Sequence, residues 1–375
     1  MEKALEDAVA KIQKKFGKGT IRKGSEIAPV DRVPSGVFAL DCALGSYEGV
    51  PGFPRGRITI LAGEESSAKT LVALKVIAEF QRLGEPTVLV DAEGSWDPIW
   101  GRKIGIDPDA LLIQSAECAE QAIDIMDELI RAMPGGCIVV DSMAALTPST
   151  EIEDSSFGWQ QGLAARIFNK GFRKFQAALN SATKDGSPGP TIICIQQFRT
   201  KFDRMRGGIR VMPGGAGQKF AASCIVSMWA GKPVYFVPGK GPQTKVTQDE
   251  KAECQVIGNT FHFEVTKNKT AIPKRRGSFE LYNAPFSDDA TDTVVSPGST
   301  NHVEQVLRAG IRYGFATRAG VWYSMGDTRL GQGERKAVRF LMANPKMMVS
   351  LRDLVVDYEA EMVGTSMDSD DGSDV

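Results

Sequence analysis

Apolar residues recur at helical spacing near the start of the chain. Leu5, Val9, Ile12 and Phe16 are separated by Glu, Lys and Gln, which predicts an amphipathic helix over residues 1–16. Gly17 and Gly19 stop it, and the mixed segment behind it ends at Pro34. A helix set apart in this way either folds back on its own core or docks on a neighbouring subunit; the pattern alone favours folding back.

From about residue 57 the pattern becomes strand, loop, helix, repeated. Buried strands are predicted at 58–62, 87–91, 137–141 and 191–195, each a run of β-branched and apolar residues. Helices are predicted after Lys69, over roughly 119–132 and over about 162–182. Their candidate inner faces carry Leu71, Leu74, Ile77 and Phe80 in the first, and Leu163, Ile167, Phe172, Phe175 and Leu179 in the last. Near-continuous apolar strands alternating with helices predict an α/β fold, a mostly parallel sheet covered on both faces. Ligands of such sheets sit beyond the carboxyl ends of the strands.

After residue 220 the helices thin out. Strand-like pieces at 223–229, 234–237, 255–266 and 278–283 predict an antiparallel extension of the sheet. Residues 286–300, rich in Asp, Thr, Ser and Pro, read as a linker, and 301–362 as a small helical module. Ser366 to Val375 carry four aspartates and no base, the composition of a disordered acidic tail.

Composition changes this picture little. Hydrophobic residues make up 42% and charged residues 24% of 375, with a net charge of −1, so any hold on nucleic acid must come from locally concentrated bases. The six cysteines have no C-x-x-C spacing, which argues against a zinc or redox site and for a reducing compartment. With no signal-peptide core and no apolar run near membrane length, the expected location is the cytosol, with no membrane partner.

Five features carry candidate chemistry. The first is Gly63, Glu64, Glu65, Ser66, Ser67, Ala68, Lys69 and Thr70, between a strand and a helix. Backbone N–H groups at such a helix start cradle phosphates, a lysine reaches the terminal phosphates and a hydroxyl holds Mg²⁺. Ala68 stands where a second glycine is expected, so its methyl either is harmless or perturbs the cradle. The second is Asp141 at the end of a buried strand, suited to holding hydrated Mg²⁺ or to capping the next turn. The third is Asp91-Ala92-Glu93, where a carboxylate can activate water or simply lie on the surface. The fourth is the segment 198–217, with Arg199, Lys201, Arg204, Arg206 and Arg210 against Asp203 alone, and five glycines. Such a mobile basic loop suits a phosphate backbone. The fifth is Glu151 to Gln161, whose Phe157 and Trp159 either stack on bases or lie in the core.

These motifs, with Phe16-Gly17-Lys18-Gly19, Val139-Val140-Asp141-Ser142, Gly162-Leu163-Ala164-Ala165-Arg166, Lys267-Asn268-Lys269 and Ala319-Gly320-Val321-Trp322-Tyr323-Ser324, occur in the order and near the spacing of one family. The chain resembles the bacterial RecA recombinases from the N-terminal helix to about residue 345, most weakly at 231–254 and 284–318. The resemblance implies an N-terminal oligomerisation arm at 1–32, an ATPase core with DNA-binding loops at 33–285, a small C-terminal α/β domain at 286–363 and an acidic tail at 364–375. It implies ATP and Mg²⁺ as cofactors, held by the Gly63–Thr70 loop, Asp97, Trp100 and Asp141, with Thr70 and Asp141 on the metal.

It also implies catalytic roles for Lys69, for Glu93 as the residue that activates water and for Gln197 as the sensor of the γ-phosphate. Lys267 and Lys269 would reach ATP across a subunit interface, with Phe220 signalling there. Phe157, Trp159, Gln161, Arg166, Arg199, Lys201, Arg204, Arg206 and Arg210 would touch DNA. The implied activity is DNA-stimulated ATP hydrolysis by a helical filament on single-stranded DNA, which then pairs with a homologous duplex. Rival readings are a non-hydrolysing DNA-coating filament, motivated by Ala68, a ring motor of the helicase type, and a metabolic kinase.

Overall fold

A computed structural model describes residues 2–17, 20–153, 162–183, 188–203, 207–288 and 293–368. In chain order, helix α1 is Glu2–Phe16, α2 is Phe38–Leu44, strand β1 is Ile58–Gly63, α3 is Lys69–Arg82 and β2 is Thr87–Asp91. There follow α4 (Pro98–Lys103), β3 (Leu111–Gln114), α5 (Ala119–Ala132), β4 (Cys137–Asp141), α6 (Leu163–Ala182) and β5 (Thr191–Gln197). The four buried strands and three core helices lie where the hydrophobic pattern predicts them.

The sheet order is β3–β2–β4–β5–β1, all parallel. Strand β8 (Cys224–Val237) joins β1, also parallel, and β9 (Gly241–Gln243), β10 (Gln255–Asn268) and β11 (Arg276–Tyr282) extend the sheet antiparallel, making nine strands. The pieces expected at 223–229 and 234–237 are therefore one strand, which β-bulges bend without interrupting.

Side chains alternate across this sheet. Leu61, Leu89, Val139, Ile193 and Ile195 face α2 and α3, while Ile60, Val88, Val140, Ile192 and Cys194 face α5 and α6. Burial on both faces is why these strands are apolar at nearly every position.

Three sequence expectations are corrected. The 198–217 loop contains an antiparallel hairpin, β6 (Arg199–Asp203) with β7 (Gly207–Val211), because backbone pairing satisfies its polar groups in place of water. The 286–300 linker contains a strand pair, β12 (Phe286–Asp288) with β13 (Thr293–Val295), and Phe286 is buried against Val234, Ile257 and Tyr282. The 301–362 module is not purely helical. Between α8 (His302–Arg312) and α9 (Glu334–Ala343) lies a three-stranded sheet of β14 (Thr317–Ala319), β15 (Trp322–Met325) and β16 (Thr328–Gln332), and α10 spans Pro345–Asp368. Helix α10 takes in Ser366–Asp368 of the expected acidic tail; residues 369–375 lie outside the described residues.

Helix α1 does not fold back. Leu5 is 66% and Phe16 60% exposed, so among the described residues both ends of its apolar stripe lack cover. The C-terminal module, by contrast, is packed on the core: Phe38 and Cys42 of α2 share a buried cluster with Leu307, Leu341, Leu351 and Val355. Among the described residues no helix is long and apolar enough to cross a membrane.

Candidate nucleotide site

The loop between β1 and α3 has the geometry of an anion cradle. A Cβ on Gly63 would lie 2.3 Å from the Met228 carbonyl oxygen, so only glycine fits there. Ser66 and Ala68 both adopt positive φ, +56° and +65°, which turns successive N–H groups inward. Ala68 pays for this with Cβ strain of about 1 kcal/mol. Ala68 packs against the apolar core beside α3 and also lines the cavity next to the loop. Ala68→Gly is therefore expected to raise stability to urea by up to about 1 kcal/mol, less the entropy that glycine adds to the unfolded chain, without lowering ATP turnover.

Lys69 is buried, and its Nζ donates to the Glu64 carbonyl and to Ser67 Oγ. Burial lowers its pKa, while Asp141 and Glu93 oppose that shift. An ammonium held by two neutral oxygens in a partly dry loop is matched to an anionic ligand. Thr70 Oγ1 donates to Asp141 Oδ2 at 2.7 Å. Burial pushes the Asp141 carboxyl up to about 6, against the stabilising Thr70 hydrogen bond. One hydroxyl beside one carboxylate fits Mg²⁺, which keeps several waters and takes phosphate oxygens for its remaining positions.

Glu93 follows β2. Its Oε1 accepts from Ser142 Oγ at 2.6 Å and from Gln197 Nε2 at 3.1 Å. Gln197 ends β5, immediately before the basic hairpin, so a single carboxylate oxygen joins the phosphate side of the site to the base of that hairpin. Beside these groups opens a cavity of about 660 Å³, lined by the loop, Glu93, Asp141, Asp97, Trp100 and Trp96. Asp97 caps α4 through Ile99 N, which fixes Trp100 on the cavity wall.

Sequence reasoning missed Trp96, Ser142, Asn259, Phe261 and Asn283. Ser142 follows directly on Asp141 and was visible by position. Asn259, Phe261 and Asn283 reach the cavity from β10 and the end of β11, which no local signal reveals. Gln218 was missed too: buried, it accepts from Gln196 Nε2 at 2.7 Å and so ties β5 to the short helix α7 (Gly217–Ala221), which carries Phe220.

Lys267 and Lys269 are not in this cavity. They donate to the carbonyls of Lys219 and Phe220, with Phe220 76% exposed beside them. Lys269 N bonds the Ser223 carbonyl, and Ser223 N bonds that of Ile58, which places the lysines at the amino edge of the sheet, away from Lys69. Arg166 and Arg199 are exposed on α6 and β6. Lys201 pairs with Ile209, and Arg210 with Thr200, across the hairpin. Phe157, Trp159, Gln161, Arg204 and Arg206 lie outside the described residues.

Models of the RecA N-terminal domain and the RecA C-terminal domain match residues 3–286 and 304–358. The chain belongs to the RecA family. It is 35% identical over 372 residues to Protein RecA of Nocardioides sp., covering 98% of this chain and 94% of that protein. It is 36% identical over 349 residues to Protein RecA of Acidothermus cellulolyticus, covering 92% and 90%. To Protein RecA of Cereibacter sphaeroides it is 35% identical over 356 residues, covering 94% and 92%. As a RecA-family protein it is a DNA-dependent ATPase of homologous recombination. The metabolic-kinase reading is thereby set aside.

Proposed function

We propose that the cavity beside Lys69 binds the ATP that the chain hydrolyses, and that the bound nucleotide bridges two copies in a filament on single-stranded DNA. The observation that carries this reading is the separation of the two charged groups. Lys69, Thr70, Asp141, Glu93 and Gln197 converge at the carboxyl edge of the sheet, while Lys267, Lys269 and Phe220 sit at the amino edge. One chain thus presents half of a site at each end. Joining unlike ends gives a head-to-tail interface, which does not close unless its rotation happens to form a ring. The uncovered stripe of α1 is a second surface for the same neighbour.

In this reading the Gly63–Thr70 backbone and Lys69 hold the phosphates, while Thr70 and Asp141, the latter through water, would hold Mg²⁺. The ion supplies charge neutralisation of the phosphate oxygens. Glu93 Oε1 takes the proton of the attacking water, and Trp100 and Asp97 position the base and sugar. Gln197, which shares that oxygen, reports the occupied state to β6. Residues 1–32 then act as the arm, 33–285 as the core, 286–363 as the C-terminal domain and 364–375 as the tail. Arg166, Arg199, Lys201, Arg204, Arg206 and Arg210 hold the strand by its phosphates, and Phe157, Trp159 and Gln161 contact it from the other loop. A homologous duplex is then tested by base pairing.

The test is phosphate release with and without single-stranded DNA, beside electron microscopy of the assembly. Strand-stimulated turnover and open helical filaments are expected. Closed rings would favour the ring motor, and ATP-dependent coating without turnover the structural filament.

A further inference from the structure

Trp229 lies on β8 directly opposite His262 of β10, and the two rings stack at 5.9 Å with an interplanar angle of 27°. Despite its size the indole is 36% exposed. A Cβ at Gly231 would stand 2.7 Å from His262 Nε2, so glycine at that position leaves the imidazole edge open. Lys232, next along, is exposed. A tryptophan exposed to this degree on a sheet face, beside a half-buried imidazole, departs from the usual burial of tryptophan.

Its position is more informative than its exposure. Met228 pairs with Gly63, the last residue of β1, so Trp229 stands just past the carboxyl edge. Phe198 N bonds the Gly63 carbonyl from the other side of β1, so the base of the basic hairpin is at the same level. Met228 packs into the core beneath α3, so Trp229 points to the opposite face, the one on which Phe198 packs. Helices α5 and α6 pack on that face as far as Ile225, and Trp229 lies beyond that cluster. Two strand spacings, about 10 Å, separate the aromatic pair from the hairpin base. Charged groups near the pair include Lys232 along the strand, the Glu264–Arg276 ion pair, and Glu280 of β11, opposite Thr260.

We propose that Trp229 and His262 form a stacking platform for an unpaired base of the strand whose phosphates the 199–211 hairpin holds. The chemistry is complementary. The hairpin segment supplies cations for phosphate, and the platform supplies a flat apolar face that accepts any base without reading its edge. The proposal rests on the reading of the hairpin as a DNA contact.

The experiment uses the full chain with ATP and Mg²⁺, and a labelled oligothymidylate beside an abasic oligonucleotide of equal length. Both carry the same phosphates, and only one carries bases. Trp229→Ala is expected to weaken oligothymidylate binding about fivefold or more while leaving abasic binding unchanged. Trp229→Phe, which keeps a ring, is expected to restore most of the loss and shows that the fold is intact. Equal loss on both strands, with impaired filament assembly, would overturn the proposal and assign the pair to a neighbouring subunit. Unchanged binding of oligothymidylate would also overturn it. Failure of the unmodified chain to bind either strand would instead refute the DNA-binding reading on which it rests.

Discussion

Lys69→Ala is expected to lower DNA-stimulated ATP turnover by about a hundredfold to a thousandfold, the size of effect that follows loss of one preorganised charge partner in a water-poor site. The side chain is 5% exposed and, among the described residues, its Nζ donates to two neutral oxygens, Glu64 O and Ser67 Oγ. The strong partner is therefore the ligand, and its removal leaves phosphate charge facing a loop of dipoles alone. ATP-dependent DNA binding should fall as well, because in the proposed reading the same contact holds the nucleotide that bridges subunits. Glu93→Gln separates the two effects. It retains the shape of the side chain and a carbonyl oxygen that Ser142 and Gln197 can still reach, but it cannot take a proton. Turnover should be lost while ATP-gated DNA binding remains. Phosphate release and DNA anisotropy on both variants check this pair. Turnover retained in Lys69→Ala would mean that the cavity beside it is not the hydrolytic site.

Glu359→Ala is expected to destabilise the chain by about 3–5 kcal/mol, because it strands a guanidinium in a mostly buried junction. The Glu359 side chain is 3% exposed on α10, and both of its oxygens accept from Arg275; Tyr313 donates to one of them. Arg275 Nη1 also donates to the Cys42 carbonyl at 2.9 Å and Nη2 to Tyr313 Oη at 2.9 Å. Burial works against the charge on Arg275, but Glu359 more than offsets it and holds that pKa above its ordinary value. This one pair links α2, the turn before β11, α8 and α10, so it pins the C-terminal module to the ATPase core. Urea unfolding followed by circular dichroism measures the loss, and limited proteolysis should find the C-terminal module released first. The double variant Arg275→Met/Glu359→Leu should recover most of the stability, since an apolar pair carries no desolvation penalty. A single variant as stable as the parent would show that the junction is held by the Phe38–Leu351 cluster alone.

The central sheet was legible in the sequence because parallel strands buried on two faces must be apolar at nearly every position, as Ile58–Ala62 and Cys137–Val140 are. The proposed nucleotide-binding residues, the Gly63–Thr70 loop, Asp141 and Glu93, stood out in the sequence because phosphate and metal chemistry ties residue types to strand ends within a few positions. Other features were not, because they arise from pairing between distant segments. The basic hairpin has no alternating apolar pattern in its sequence, and its strands are recognised only from their backbone pairing. The β14–β16 sheet is short and punctuated by glycine, so its strands carry too few residues to show a period.

Conversely, α1 was legible as an amphipathic helix, but only the structure showed its stripe uncovered. An amphipathic pattern specifies that a face will be buried without specifying by what. The placement of Lys267 and Lys269 opposite Lys69, and of Trp229 against His262, was decided by the antiparallel return of β10 along β8. Sequence by itself determined the elements and the local chemistry, because both depend on residues a few positions apart. Tertiary structure alone decided which distant groups meet, because strand register and crossover direction are settled by the packing of whole elements.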